Sequence, residues 1–202
     1  MPNRKLDNKR RSCHEKGASP LSECCSSSPV PSHASQKLLV ELLYLDRNVC
    51  TRCRGAEDAL TGALADASPA LHAMGFEVEV RSTLVDSEEA ARRLQFRSSP
   101  TIRIDGHDIQ PEIGESSCES CGGLVESGNV DCREWTWRGQ RYPSPPKGMI
   151  VEALMRAAAS PQQAVPEKSY DLPANLHNFF QNRSSTANTC GCAPHSNIGQ
   201  PA

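Results

Sequence analysis

The stretch Lys37-Leu38-Leu39-Val40-Glu41-Leu42-Leu43-Tyr44-Leu45 runs through a polar break at Asp46-Arg47-Asn48 into Cys50-Thr51-Arg52-Cys53. The first part is almost continuously apolar and too short for a buried helix, which predicts a strand covered on both faces. Beyond the break, Ala56, Leu60, Ala63, Leu64, Ala67, Leu71 and Met74 recur at helical spacing as far as Gly75, with Ser68-Pro69 as a point of kink or restart. The two cysteines thus sit where a strand gives way to a helix. Two thiols so spaced at a helix start are either a redox pair or half of a metal site.

Farther on, Phe76 to Val80 alternates apolar and charged residues and predicts a second strand. Asp86 or Ser87 can cap a short helix with Glu88 and Glu89 in its first turn and Arg92 and Arg93 in its last, an order that suits the helix dipole. Leu94 and Phe96 are expected to face inward. After Ser98-Ser99-Pro100, Thr101 to Ile104 and His107 to Gln110 flank Asp105-Gly106 as a hairpin. Met149, Ile150, Ala153, Leu154 and Ala157 give a last amphipathic helix. The predicted order is βαβαββα.

Composition limits the rest. Of 202 residues, the stretches 1–36 and 160–202 are rich in Ser, Pro, Asn and charge and poor in apolar residues, and are expected to be disordered tails around one domain at 37–159. A net charge of -2 gives no electrostatic case for nucleic acid or an anionic membrane. No apolar leader follows the basic start and no run is long enough to span a membrane, so the expected location is the cytoplasm. Ten cysteines in such a chain favour redox or metal chemistry over a secreted disulfide scaffold.

The order of elements, the Cys50-Thr51-Arg52-Cys53 junction and Ser99-Pro100-Thr101 before the third strand resemble the thioredoxin-like superfamily. By that resemblance Pro100 is a cis-proline packed against the cysteine pair. Leu43-Tyr44-Leu45, the run from Cys50 to Gly55, Ser98 to Ile102, Ser117-Cys118-Glu119-Ser120-Cys121-Gly122 and Pro146-Lys147 look like an uncharacterised prokaryotic family, domain of unknown function 2703. That likeness implies a fold and leaves the activity open.

In a thioredoxin-like reading Cys50 is the nucleophile, its thiolate favoured by the helix N-terminus and by flanking Arg47, Arg52 and Arg54. Cys53, deeper in the first turn, resolves the mixed disulfide. A cysteine-rich insert at 111–144 departs from the minimal fold and holds Cys118, Cys121 and Cys132, three ligands of a site that wants four. His107, a tail cysteine or one of the first pair can supply the fourth. If Pro100 lies beside Cys50, the fourth strand returns to that end and brings Cys118 and Cys121 toward Cys50 and Cys53. A second dithiol in relay with the first and a shared site for a soft ion then both follow. Trp135 and Trp137 lie in an expected hairpin that either covers the thiols or supplies apolar area. Leu172 to Phe180 can form a short docking helix.

Cys24-Cys25 and Cys190-Gly191-Cys192 offer further thiols for soft metals in the tails. The expected partners are therefore protein or small-molecule disulfides, or Zn²⁺, Cu⁺, Hg²⁺ and arsenite. The expected function is a thiol-disulfide oxidoreductase using the Cys50–Cys53 pair, which requires no cofactor; the alternatives are binding or delivery of a thiophilic metal, or a structural zinc clip in the insert.

Overall fold

The computed structural model describes residues 35–126, 128, 130–160 and 169–183. Strand β1 (Gln36–Tyr44) occupies the middle of a four-stranded sheet, and its near-continuous apolar run answers to burial on both faces: Leu38, Val40, Leu42 and Leu43 are all buried. On one side β2 (Phe76–Leu84) pairs with it in parallel, from Gln36 opposite Phe76 to Tyr44 opposite Leu84. On the other side β3 (Thr101–Ile104) is antiparallel, and β4 (His107–Asp108) closes the order β2-β1-β3-β4. A parallel pair needs a crossover, here the helix α1 (Thr51–Ala73).

The apolar stripe of α1 sets its buried face. Ala56, Leu60, Ala63, Ala67 and Leu71 are buried, while Met74 at the C-cap is exposed. The helix runs unbroken through Pro69, with the Ser68 hydroxyl donating to the Leu64 carbonyl at 2.6 Å. Gly75, at φ 87°, supplies the left-handed residue that ends it and turns the chain into β2. Short helix α2 (Glu88–Arg93) is capped by Ser87, whose hydroxyl accepts the Ala90 N–H at 3.2 Å. Helix α3 (Lys147–Ala159) packs on α1 and buries Met149, Ile150, Leu154 and Ala157.

The β3–β4 turn places Asp105 and Gly106 both at positive φ, 49° and 79°, as a two-residue hairpin of this hand requires. The ladder beyond it is shorter than the sequence suggests. The Ile109 N–H makes the last bond to β3, to the Ile102 carbonyl at 3.1 Å, and the Gln110 side chain then takes over by donating to the carbonyls of Glu112 and Glu134 and accepting the Thr136 N–H.

The insert builds a sheet of its own, β5-β6-β7, from β5 (Gly114–Ser117), β6 (Asp131–Trp137) and β7 (Gln140–Tyr142). Trp135 is fully buried, and the Trp137 indole donates to Glu152 on α3 at 3.2 Å, so both tryptophans serve packing. Helix α3 is followed by one more, α4 (Ala174–Gln181), within the stretch expected as a loose tail. Leu176 and Phe179 are buried in the common core, and His177 meets Glu88 of α2 at 2.7 Å. Among the described residues no helix is long and apolar enough to cross a membrane.

Candidate functional site

Cys50 is the N-cap of α1. Its Sγ accepts the backbone N–H of Cys53 at 3.3 Å, so a sulfur does what a serine or aspartate oxygen usually does at this position. The β1-to-α1 junction thereby fixes the sulfur at the open end of the helix.

Three more sulfurs arrive from the insert. Cys118 follows the last residue of β5, and its N–H donates to the Val130 carbonyl at 2.8 Å. The 3-10 turn Glu119–Leu124 then doubles back, its Cys121 N–H donating to the Cys118 carbonyl at 2.9 Å. Cys132 stands on β6 opposite Ser116. The ligand atoms of Cys50, Cys118, Cys121 and Cys132 all lie within 4.8 Å of one another, and all four residues are buried. The Cys121 and Cys132 sulfurs are 3.6 Å apart and those of Cys50 and Cys132 4.0 Å. A tetrahedral ion with Zn–S bonds of about 2.3 Å sets its sulfurs about 3.8 Å apart, whereas a disulfide needs about 2.05 Å. The described cysteines are free, and this group can hold a metal ion.

Cys50 supplies the fourth ligand position. His107 lies in β4 opposite Ile104, outside the group. Cys53 also stands outside it, with its sulfur 3.4 Å from the Ser99 hydroxyl. The expectation that Cys53 is the less exposed of the pair is corrected, since both are 1% exposed. The insert's sulfurs cover Cys50.

The electrostatics follow from this packing. Hydrogen bonds from the thiols of Cys121, Cys132 and Cys53 hold the Cys50 sulfur well below the ordinary thiol range, against the effect of burial. Cys53 is pushed up by its hydrogen bond to Cys50 and by burial. Cys132 is likewise raised by its hydrogen bonds to Cys121 and Cys50 and by burial. For Cys121 the bond with Cys132 favours the thiolate, but the bond with Cys50 and burial outweigh it and raise the thiol. The same contacts thus favour the thiolate at Cys50 and disfavour it at Cys53, Cys121 and Cys132.

The flanking arginines do not do this work. Arg47 pairs with Glu57 and lies over the Tyr44 ring at 4.4 Å, and Arg54 is exposed. Arg52 turns to the insert, donating to the carbonyls of Cys132 at 2.9 Å and Ser117 at 2.8 Å and to the Ser116 hydroxyl at 2.9 Å. Ser120 adds a second tie. Its hydroxyl accepts the Thr51 N–H at 3.1 Å and lies 3.3 Å from the Cys118 sulfur.

The Ser99–Pro100 peptide bond is cis. The Ser99 hydroxyl accepts the Leu45 N–H at 3.0 Å, and its carbonyl accepts the Arg133 N–H at 2.8 Å, so this residue joins β1, β6 and Cys53. Arg133 itself is fully buried. Its guanidinium forms a two-pronged pair with Asp108 at 2.9 Å, donates to Thr101 and Gln110, and stacks on Trp135.

A family model described as a domain of unknown function, DUF2703, matches residues 38–154. The chain belongs to the DUF2703 family. The match runs from β1 into α3, so every described cysteine of this DUF2703 protein lies inside it. No curated protein and no solved structure matches the chain. Cys24, Cys25, Cys190 and Cys192 lie outside the described residues. Arg52 as a clamp, Ser120, Gln110 and Arg133 escaped the sequence reading. For Ser120 a signal was present, a hydroxyl between two cysteines three apart.

Proposed function

We propose that this DUF2703 protein binds a thiophilic metal ion, zinc in the first place, through Cys50, Cys118, Cys121 and Cys132 on a thioredoxin-like frame. The observation that carries the reading is the meeting of four buried sulfurs, from two distant segments, within 4.8 Å of one another, with the Cys121–Cys132 and Cys50–Cys132 spacings bracketing the edge of a zinc–thiolate tetrahedron. A four-thiolate set leaves no open position, which suits holding or handing over an ion rather than Lewis-acid catalysis. Cu⁺, Hg²⁺ and arsenite share the preference for thiolates. Metal content and free-thiol count on anaerobically purified full chain test the proposal. One equivalent of zinc, absent from a Cys132→Ser variant, is expected; a protein that arrives empty and takes up no added zinc or Cu⁺ overturns it.

A second reading has its own support. Cys50 caps α1, Cys53 lies beside it off the four-sulfur group, and the cis Ser99–Pro100 segment lies against the pair through the Cys53–Ser99 contact. These contacts support reading the pair as a thioredoxin-like dithiol, with Cys50 as nucleophile and Cys53 as resolving thiol. It predicts exchange with insulin or glutathione disulfide that Cys50→Ser abolishes. No exchange under any reductant sinks it.

A further inference from the structure

Cys53 is the unused sulfur of the site. Its backbone N–H donates to the Cys50 sulfur at 3.3 Å, yet its own sulfur takes no part in the group of Cys50, Cys118, Cys121 and Cys132. With an ion in place the other three sulfurs are engaged, and Cys53 is the neighbour of Cys50 left free to react. Cys50 is 1% exposed and lies under the turn Glu119–Leu124, which Ser120 fastens to Thr51. A bulky disulfide must lift that turn to reach the sulfur. Hydrogen peroxide, being far smaller, needs the least opening of that cover.

We propose that Cys53 makes the ion site oxidant-releasable: hydrogen peroxide oxidises Cys50, Cys53 closes a disulfide onto it, and the site loses one of its four ligands. The proposal rests on the metal-binding reading. The chemistry balances with the peroxide as the only co-reactant. The Cys50 thiolate attacks one peroxide oxygen, the O–O bond breaks, and the departing hydroxide takes up a proton to become water, leaving a sulfenic acid. The Cys53 sulfur then attacks the Cys50 sulfur. The S–O bond breaks, the Cys53 proton leaves with the hydroxyl as a second water, and an S–S bond forms. Two electrons have passed from two thiols to the peroxide, and Cys118, Cys121 and Cys132 remain reduced with an incomplete set. The Cys53–Ser99 contact at 3.4 Å holds the resolving sulfur in place beforehand.

The experiment uses full chain carrying one equivalent of zinc, treated with limiting hydrogen peroxide in the presence of a chromogenic zinc chelator and dimedone, followed by peptide mapping. Wild type is expected to release its zinc, to show a Cys50–Cys53 bridge with no dimedone adduct, and to rebind zinc after dithiothreitol. Cys53→Ser is expected to bind zinc as wild type does and to show dimedone on Cys50; Cys53→Ala serves as the second variant if serine disturbs the fold. A bridge from Cys50 to Cys121 or Cys132, or equal dimedone labelling of wild type and both variants, overturns the proposal. Release by glutathione disulfide as fast as by peroxide overturns the choice of oxidant. A chain that holds no zinc before oxidant is added refutes the metal reading itself, so the two failures are told apart.

Discussion

The guanidinium of Arg52 donates to the main-chain carbonyl of Cys132 at 2.9 Å, joining the first turn of α1 to the strand that carries a sulfur of the site. Cys50 is two residues before this arginine. One planar side chain thus holds β5, which leads into Cys118, and β6, which carries Cys132, in register with the start of α1, because its donors reach both strands at once.

Arg52→Met is therefore expected to weaken zinc binding by about 10–100-fold, the range seen when a group that orients ligands is removed. Arg52→Lys should fall between, since an ammonium replaces a fork with a point charge. Competition titration against a chelator of known affinity measures both. Unchanged affinity in Arg52→Met would show that the insert docks without it.

Substitution of the cysteines should separate ligands from their neighbour. Cys118→Ser and Cys121→Ser are expected to lose bound zinc and, because binding free energy at such sites is also folding free energy, to lower the melting temperature in the zinc-loaded state. Cys53→Ser should keep both. Differential scanning calorimetry with and without chelator gives the comparison, and equal loss in all variants would place Cys53 among the ligands.

Arg133 is buried and its charge is balanced by Asp108, whose side chain is 21% exposed. Removing one partner of a buried pair costs about 3–5 kcal/mol. Asp108→Ala is expected at the low end, about 3 kcal/mol, because Thr101 and Gln110 still accept from Arg133. Urea denaturation reads this. The double variant Arg133→Met, Asp108→Leu should recover most of the loss, and a double variant as weak as the single one would contradict the role of the stranded charge.

Tyr170 donates its hydroxyl proton to the Phe96 carbonyl, and burial raises its pKa above the ordinary 10.0. A folded-state value above the unfolded one means stability that is fully present below pH 10.0 and is lost as the pH rises through the folded value. Tyr170→Phe is expected to cost about 1 kcal/mol at neutral pH. The gap from wild type should narrow on the alkaline side, as followed by denaturation at stepped pH; a constant gap would mean that the phenol does not titrate with unfolding.

The core of the fold was readable in local pattern. The apolar run before Tyr44 could be buried only inside a sheet, the stripe from Ala56 to Leu71 could only be one helix face, and Asp105-Gly106 could only be a tight turn. Following that turn also brought the insert back toward Cys50. Other features resisted because their partners are remote in sequence. Gly114 to Ser117 carries no apolar alternation, since β5 is held by its pairing with β6 rather than by burial. Arg133 reads as a surface charge until Asp108 and Trp135 are seen around it. Arg52 reads as a cation near a thiol, and only the register of β5 against β6 reveals the carbonyls that claim it.

Cys50 and Cys132 are 82 residues apart in the chain. During synthesis the α1 sulfur emerges first and waits for β6, which must be made, paired and laid against the helix before the donor set is complete. A truncated or misassembled chain presents an open set at best. Retention of an ion would then mark the finished molecule, a proofreading signal carried by the chain's own tertiary assembly.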